Sequence, residues 1–377
     1  MKKILFFIHD LGQGGAEKVL VNLVNNMDIT KFDITVMALF AGGTNEQFLN
    51  KNIRYITIFP KTFPGNSHVM KLFSPRLLHK LFIKERYDIE ISYLEGPSAR
   101  IISGCSNEKT KLVSWIHTEI SDMKELAKSF RNENEAKKCY ERFDKMVFVS
   151  ESIKNKFCRN IKFSKTAQVL YNTVESEKIK NLSEEVISEI LYDDNEIRIV
   201  AVGTLKKVKG YERLLKIINK LSVNYNIHLY ILGVGPLKCD MEKYIEDNKL
   251  ENSITLLGYH TNPYKFIRNS DLFVCSSYIE GFSTATTESL IIGTPVCTVE
   301  VSGMKELLGE NSEYGLITKN DEESLYNGIK SLLDNPQRLN YYREKAFERG
   351  KRFSTGKTVD EVQRMFEKLT EGVDETK

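Results

Sequence analysis

Between Asp271 and Val296 the chain reads DLFVCSSYIEGFSTATTESLIIGTPV, and the order of residue types in it decides the fold. "DLFVCSS" is a short apolar run of strand length, as expected of a strand buried on both faces of a parallel sheet. "YIEGF" is its exit loop, and "STATTESLII" is a helix ended by Gly293 and Pro295. A strand that leads directly into a helix is half of a βαβ unit, and the same alternation runs along the whole chain. In the first half it appears as "ILFFI", "FDITVMAL", "IRYITIF", "DIEISYL", "KLVSWI" and "KMVFVS", separated by amphipathic stretches such as "AEKVLVNLVNNM". It restarts after Tyr171 with "IRIVAVG", "IHLYILG", "SITLLG", "DLFVCS" and "TPVCTV". Two such series predict an α/β protein with two Rossmann-like parallel sheets, one per domain. The polar stretch "SEEVISEILYDDNE" lies between them, which places the seam near residues 172–195. The expected division is 1–172, 173–355 and a helical tail over 356–377 that packs on one of the two domains, the first being the candidate.

A length of 377 residues is more than one hydrophobic core usually organises, in keeping with two domains. Apolar residues at 41% and charged residues at 28% are those of an ordinary globular protein. "MKKILFFIHD" begins like an export signal, but its apolar run, Ile4 to Ile8, is too short, and no run approaches the roughly 18 residues that span a bilayer. A cytoplasmic protein is expected. The six cysteines are scattered without a C-x-x-C, so neither a disulfide framework nor a zinc site is predicted. Charge is distributed unevenly. Residues 1–172 hold 27 Lys/Arg against 18 Asp/Glu, which leaves 27 against 33 for the remainder of the totals of 54 and 51. The first half is basic and the second acidic. Nucleic acid is not an expected partner, because the overall balance is only +3 and no recognition motif is present.

Ligands of open parallel sheets bind beyond the carboxyl ends of the strands, so the strand-exit loops are where chemistry is sought. Glu280 lies on such a loop and Glu288 one helical turn or so beyond it. The first-turn amides of the intervening helix suit a phosphate, and Gly281 lets backbone approach it closely. Ser283 or Thr284 is the expected N-cap, and neither Thr286 nor Thr287 is the acid of a capping box, so Glu288 is not used up there. Two readings of the acids stay open on the residues alone. Either both are solvated surface groups, or each holds the hydroxyls at one end of a nucleotide-sugar whose diphosphate lies between them.

The segment resembles the E-x7-E motif of family 4 glycosyltransferases, retaining enzymes of the GT-B fold that use nucleotide-sugars without a metal. The likeness covers nearly the whole chain through "GQGGAEK", "WIHTE", "VSESIKNKF", "VLYNTVE", "VGTLKKVKGYERLL", "YILGVGPLK" and "LLGYHTNPYKFIRNSDLFVCSS". It implies two domains facing each other across a cleft. It implies transfer of a hexose or N-acetylhexosamine, most commonly from a UDP-sugar, to a cell-surface glycan, lipid-linked glycan or glycoprotein, with no cofactor and no metal.

Carried over residue by residue, the resemblance implies that Lys209 neutralises the departing diphosphate, while Thr204 stands where the family has an arginine. Lys206 is a candidate substitute from the same loop. Glu280, Gly281, Phe282, Ser283, Thr284 and Glu288 line the donor, Gly14 and Gly15 bring backbone to its phosphates, and Gly233 and the Leu257, Gly258 and Tyr259 backbone hold its base. His117 hydrogen-bonds the transferred sugar. "VMKLFSPRLLHKLFIKER" reads as a basic amphipathic helix, made to start late by Pro75, in a stretch whose Lys71, Arg76, Lys80 and Lys84 face either solvent or an anionic membrane or acceptor. Two motifs are decoys. "GKRFSTGKT" has five residues between its glycines where a P-loop has four, and "DIE" at Asp88–Glu90 lies inside a strand. The competing readings are a non-catalytic GT-B partner that binds glycan, favoured by Thr204, and a GT-B sugar-nucleotide epimerase.

Overall fold

The computed structural model describes residues 1–371 apart from 121, 162–165, 189, 191 and 194. The chain divides into two compact units, one made of Met1–Thr173 with the chain from Thr355 onward, the other of Val174–Ser354. Three residues of the polar stretch expected at the seam, 189, 191 and 194, lie outside the described residues.

The first unit is built on strands β1 Lys2–Ile8, β2 Phe32–Phe40, β3 Arg54–Phe59, β4 Ile89–Ser92, β5 Lys111–Ile116, β6 Lys145–Phe148 and β7 Thr166–Val169, in the order β3-β2-β1-β4-β5-β6-β7. All pairings are parallel. β1 is buried without interruption from Ile4 to Ile8, because helices cover both faces of such a sheet. The helix Thr355–Thr370 belongs to this unit. Its Val359, Val362, Met365 and Phe366 form a buried stripe at helical spacing, and Phe366 meets Phe6 and Phe32 edge-on with centroids 6.0 and 6.2 Å away.

The second unit holds β8 Ile197–Val202, β9 Ile227–Leu232, β10 Ile254–Gly258, β11 Leu272–Cys275, β12 Val296–Val299 and β13 Leu316–Thr318, in the order β10-β9-β8-β11-β12-β13 and again all parallel. Five of these six strands, and six of the seven in the first unit, coincide with the apolar runs. The two unforeseen strands, β7 and β13, are edge strands of four and three residues with no fully buried residue, so burial leaves no apolar run to recognise.

The strand order changes direction between β1 and β4 in one sheet and between β8 and β11 in the other. At each reversal the exit loops of neighbouring strands diverge, which leaves a crevice for a ligand. The P-loop decoy dissolves on folding. Gly350 ends the helix Pro336–Gly350, and a Cβ there would lie 2.2 Å from the Leu290 carbonyl oxygen, so its glycine serves helix packing.

Candidate active site

The crevice of the second unit lies between the exits of β8 and β11. β8 leads through Gly203 into the loop Thr204–Lys209 and then Gly210, whose φ of +65° suits glycine and which starts the helix Tyr211–Leu221. A Cβ on Gly210 would come within 2.0 Å of the Ser276 carbonyl oxygen, so the β8 loop is pressed against the β11 exit. Hydrogen bonds lock the two loops together: Ser276 Oγ donates to the Lys209 carbonyl at 2.9 Å, and the Tyr278 amide donates to the Val208 carbonyl at 2.8 Å. Beneath them lies buried Arg213, whose Nε and Nη2 donate to the Ser276 carbonyl at 2.9 and 2.6 Å, while Nη2 also reaches Ser277 and Asn320. Its guanidinium sits 4.1 Å from the centre of the Tyr278 ring.

This clamp brings Lys209 and Glu280 together. Lys209 Nζ donates to Glu280 Oε1 at 2.6 Å, and Ser277 Oγ donates to the same oxygen at 2.5 Å. Burial pushes the Lys209 ammonium toward losing its proton, but the Glu280 carboxylate outweighs it and holds the pKa above the ordinary lysine value. Cys275 Sγ lies 3.9 Å from the same carboxylate oxygen, and burial raises its pKa, so it remains a thiol. Lys209, Tyr211, Cys275, Ser277, Glu280 and Ser283 line one hollow.

The helix Thr284–Ile292 starts at the rim of that hollow. Ser283 is its N-cap, its Oγ accepting from the Thr286 amide at 3.3 Å, so one first-turn donor is satisfied by the protein itself and the half-buried Thr284 and Ala285 form the outward tip. Gly293, at φ +89°, closes the helix as its left-handed C-cap. Glu288 is only 3% exposed and the Glu280 side chain 10%, so neither acid is the solvated surface group that the residues alone left open. Phe282 and Ser283 are buried, and Gly281 is half-buried.

Other sequence-predicted residues fall into place around this end of the sheet. Gly233 and Gly258 follow β9 and end β10 with φ of +149° and +74°, and the Gly233 amide donates to the Gly258 carbonyl at 2.7 Å. A Cβ on Gly233 would sit 1.9 Å from the Gly203 carbonyl oxygen, so this glycine is required by loop packing. The pairing of β10 with β9 slips between Leu256 and Gly258, so Leu257 is a bulge residue on the edge strand, and Tyr259 beside it is exposed. Thr204 is half-buried, whereas Lys206 points to solvent.

In the first unit, His117 directly follows β5 and is buried against Tyr93, with ring centroids 4.7 Å apart. Its Nε2 has no hydrogen-bond partner among the described residues, and burial pushes its pKa down to about 3, so the imidazole is neutral at any ordinary pH. Glu95, on the β4 exit, accepts from the His117 amide at 3.1 Å and from the Thr118 hydroxyl, and burial raises its pKa. Gly14 and Gly15 begin the helix Gly15–Asn26, but the Glu17 carboxylate fills the room that Gly14 leaves: a Cβ there would lie 2.0 Å from Glu17 Oε2. The Glu17 carboxylate thus lies back over the N-cap of its own helix.

The basic stretch holds two helices, the one that starts late at Pro75, as expected, and a further one ahead of it. Asn66–Leu72 ends before Phe73, and Pro75–Phe82 restarts under a Ser74 cap with proline in its first turn. Lys71 Nζ donates to the Lys128 carbonyl at 2.6 Å, while Arg76, Lys80 and Lys84 are exposed. Leu72, Phe73, Leu77 and Leu81 are exposed among them, 39% to 75% accessible.

Ser277, Arg213, Glu95 and Thr118 are site residues that sequence reasoning missed. Arg213 alone carried a signal, being a cation on the apolar face of "YERLLKIINKL".

Two family models match the chain side by side: Glycosyltransferase Family 4 over residues 13–178 and Glycosyl transferases group 1 over residues 183–349. A Campylobacter jejuni protein named N-acetylgalactosamine-N,N'-diacetylbacillosaminyl-diphospho-undecaprenol 4-alpha-N-acetylgalactosaminyltransferase is 28% identical over 369 residues, covering 94% of this chain and 96% of its own. A second from the same organism, GalNAc-alpha-(1->4)-GalNAc-alpha-(1->3)-diNAcBac-PP-undecaprenol alpha-1,4-N-acetyl-D-galactosaminyltransferase, is 24% identical and covers 89% of each chain. Among solved structures, Anabaena HepE in complex with UDP superposes with a TM-score of 0.75 at 18% identity, covering 97% of this chain and all of that one.

Proposed function

Because the chain belongs to the family 4 glycosyltransferases, with a GT-B fold of two Rossmann-like domains, we propose that it transfers a hexose or N-acetylhexosamine from a UDP-sugar to a lipid-linked glycan, with retention of configuration and without a metal. The observation that carries this reading is the Lys209–Glu280 pair, 2.6 Å apart, in a polar hollow at the switch point of the second sheet beside the start of the Thr284–Ile292 helix.

In this mechanism Lys209 and the first turn of that helix stabilise the charge that builds on the diphosphate as its bond to the sugar C1 breaks. The acceptor hydroxyl attacks C1 on the same face, and its proton passes to the leaving phosphate oxygen, so the protein supplies no nucleophile. Glu280 orients the sugar hydroxyls and Glu288 the ribose. His117, kept neutral by burial, is suited to hydrogen-bond the sugar through Nε2 and unsuited to act as a cationic acid. The two Campylobacter relatives, both named for transfer to undecaprenol-linked glycans, support a lipid-linked acceptor. So do Leu72, Phe73, Leu77 and Leu81, exposed beside Arg76, Lys80 and Lys84, a combination that suits an anionic membrane. Among the described residues no helix is long and apolar enough to cross one, so the proposed location is peripheral, at the inner face of the plasma membrane.

The test is to incubate the purified chain with UDP-glucose, UDP-galactose, UDP-GlcNAc and UDP-GalNAc and a polyprenyl-diphosphate-linked sugar, following UDP release and product mass. A product of unchanged anomeric configuration, formed equally well in EDTA, is expected. No turnover of any of these donors, an inverted product, or activity abolished by the chelator would sink the corresponding part of the proposal.

A further inference from the structure

Glu90 is an ionisable residue where a parallel sheet ordinarily takes a hydrocarbon. It lies within β4, in register with Leu5 of β1 and Leu112 of β5, and is 1% exposed. A carboxylate so placed is costly unless other groups compensate it. Two side chains converge on it from different elements. His79, on the helix Pro75–Phe82, places Nε2 2.7 Å from Glu90 Oε2, and Cys105 places Sγ 3.8 Å from Glu90 Oε1. One ligand atom from each residue lies within 4.8 Å of the other two.

The surrounding backbone holds this arrangement in place. The turn before Cys105 carries Gly104, where a Cβ would stand 2.0 Å from the Pro75 carbonyl oxygen, so glycine lets the His79 helix approach the cysteine. Arg142 Nη2 donates to the Cys105 carbonyl at 2.6 Å, and the Asn107 carbonyl lies 3.9 Å from Cys105 Sγ. A histidine salt-bridged to Glu90 would account for one carboxylate oxygen. The Cys105 thiol is directed at the other, so three ligand types meet at one buried carboxylate.

We propose that His79, Glu90 and Cys105 form a structural site for a divalent cation of the zinc class, which fastens the Pro75–Phe82 helix to the sheet. Imidazole nitrogen, carboxylate oxygen and thiolate are the ligand types zinc takes at about 2.0–2.3 Å in a tetrahedron, with neighbouring ligand atoms roughly 3.3–3.6 Å apart. To reach that spacing the 2.7 Å imidazole–carboxylate contact opens by about half an ångström as the cation enters, while the thiol closes in from its longer distance. The fourth position is left to water or the Asn107 carbonyl. On binding, Cys105 gives up its thiol proton and the His79–Glu90 pair the proton held between Nε2 and Oε2, both to the solvent. Thiolate and carboxylate then neutralise the dication, so no net charge is left in the buried site. The site is separate from the sugar-transfer chemistry and does not depend on the proposed function.

Cobalt(II) is the probe, because its thiolate bond and tetrahedral geometry are visible spectroscopically. The full chain carries Cys158→Ser and Cys239→Ser so that the exposed thiols do not contribute. One equivalent of cobalt is expected to produce a near-ultraviolet thiolate band and intense visible bands that zinc abolishes. Zinc should also raise the unfolding temperature. Cys105→Ser, which keeps the His79–Glu90 pair, should lose the thiolate band and the zinc-induced shift, and His79→Gln should lose the tetrahedral visible spectrum. Trp115 fluorescence checks that each variant is folded. Absence of both bands in the parent chain, or bands that persist undiminished in Cys105→Ser, would overturn the assignment.

Discussion

Replacing Lys209 by methionine keeps the aliphatic stem, whose Cε lies 3.6 Å from a Cβ built on Gly203, and removes only the ammonium. Glu280 then keeps a carboxylate with a 10%-exposed side chain, whose remaining short contact is the Ser277 hydroxyl at 2.5 Å. Breaking a buried pair by deleting one partner costs about 3–5 kcal/mol. Since the Lys209 side chain is 26% exposed and the Ser277 bond survives, the cost falls below that range, at about 2–3 kcal/mol. Lys209→Met with Glu280→Gln removes both charges and should recover about 1.5 kcal/mol of the summed single losses. Urea unfolding at pH 7 separates the units: Trp115, the sole tryptophan, reports the first, and far-ultraviolet circular dichroism reports both. The lysine contribution should be flat across neutral pH. Its folded pKa is raised, so the stability is fully present below the ordinary lysine value and is lost only as pH rises through the higher folded one. In the transfer assay the single variant should lose roughly ten- to a hundredfold in kcat, the worth of one charge-assisted bond of about 1.5–3 kcal/mol to the leaving diphosphate. Additivity of the two substitutions within about 0.5 kcal/mol, or wild-type kcat in Lys209→Met, would refute the reasoning.

Three further outcomes are expected. His117 has a folded pKa of about 3 against an unfolded 6.5, so below pH 6.5 the unfolded chain binds a proton that the folded chain refuses, and stability falls with pH until about 3. At pH 5 the loss is about 2 kcal/mol, and His117→Gln should abolish that increment when urea midpoints at pH 7 and pH 5 are compared. Gly210→Ala would put a Cβ 2.0 Å from the Ser276 oxygen at a φ of +65°, so it should cost about 2–3 kcal/mol in thermal unfolding and most of the transfer rate by parting the two loops. Thr204→Arg restores the guanidinium usual at that loop position, and the half-buried site should admit it; kcat is expected to rise up to about tenfold, and an unchanged rate would show that Lys209 suffices.

The chain by itself determined the two parallel sheets, the strand-loop-helix around Glu280 and Glu288, and the Lys209 loop. Each of these rests on local rules: apolar runs of strand length, helical periodicity, and glycine and proline at turns. Eleven of the thirteen strands among the described residues were legible for that reason, and β7 and β13 were not because these short edge strands lack a buried run. The late helix start at Pro75 was legible as well, being set by proline and the Ser74 cap, whereas the separate helix Asn66–Leu72 ahead of it was not. Only the tertiary structure decided which loops share a crevice. Lys209 meets Glu280 across 71 residues of sequence because β8 and β11 became neighbours when the strand order reversed. Long-range packing of the same kind buried Glu288 and brought His79, Glu90 and Cys105 within one ligand sphere. Periodicity and turn chemistry are properties of neighbours along the chain, whereas the burial and pairing of a charge depend on which distant strand lies beside it, and no local pattern encodes that.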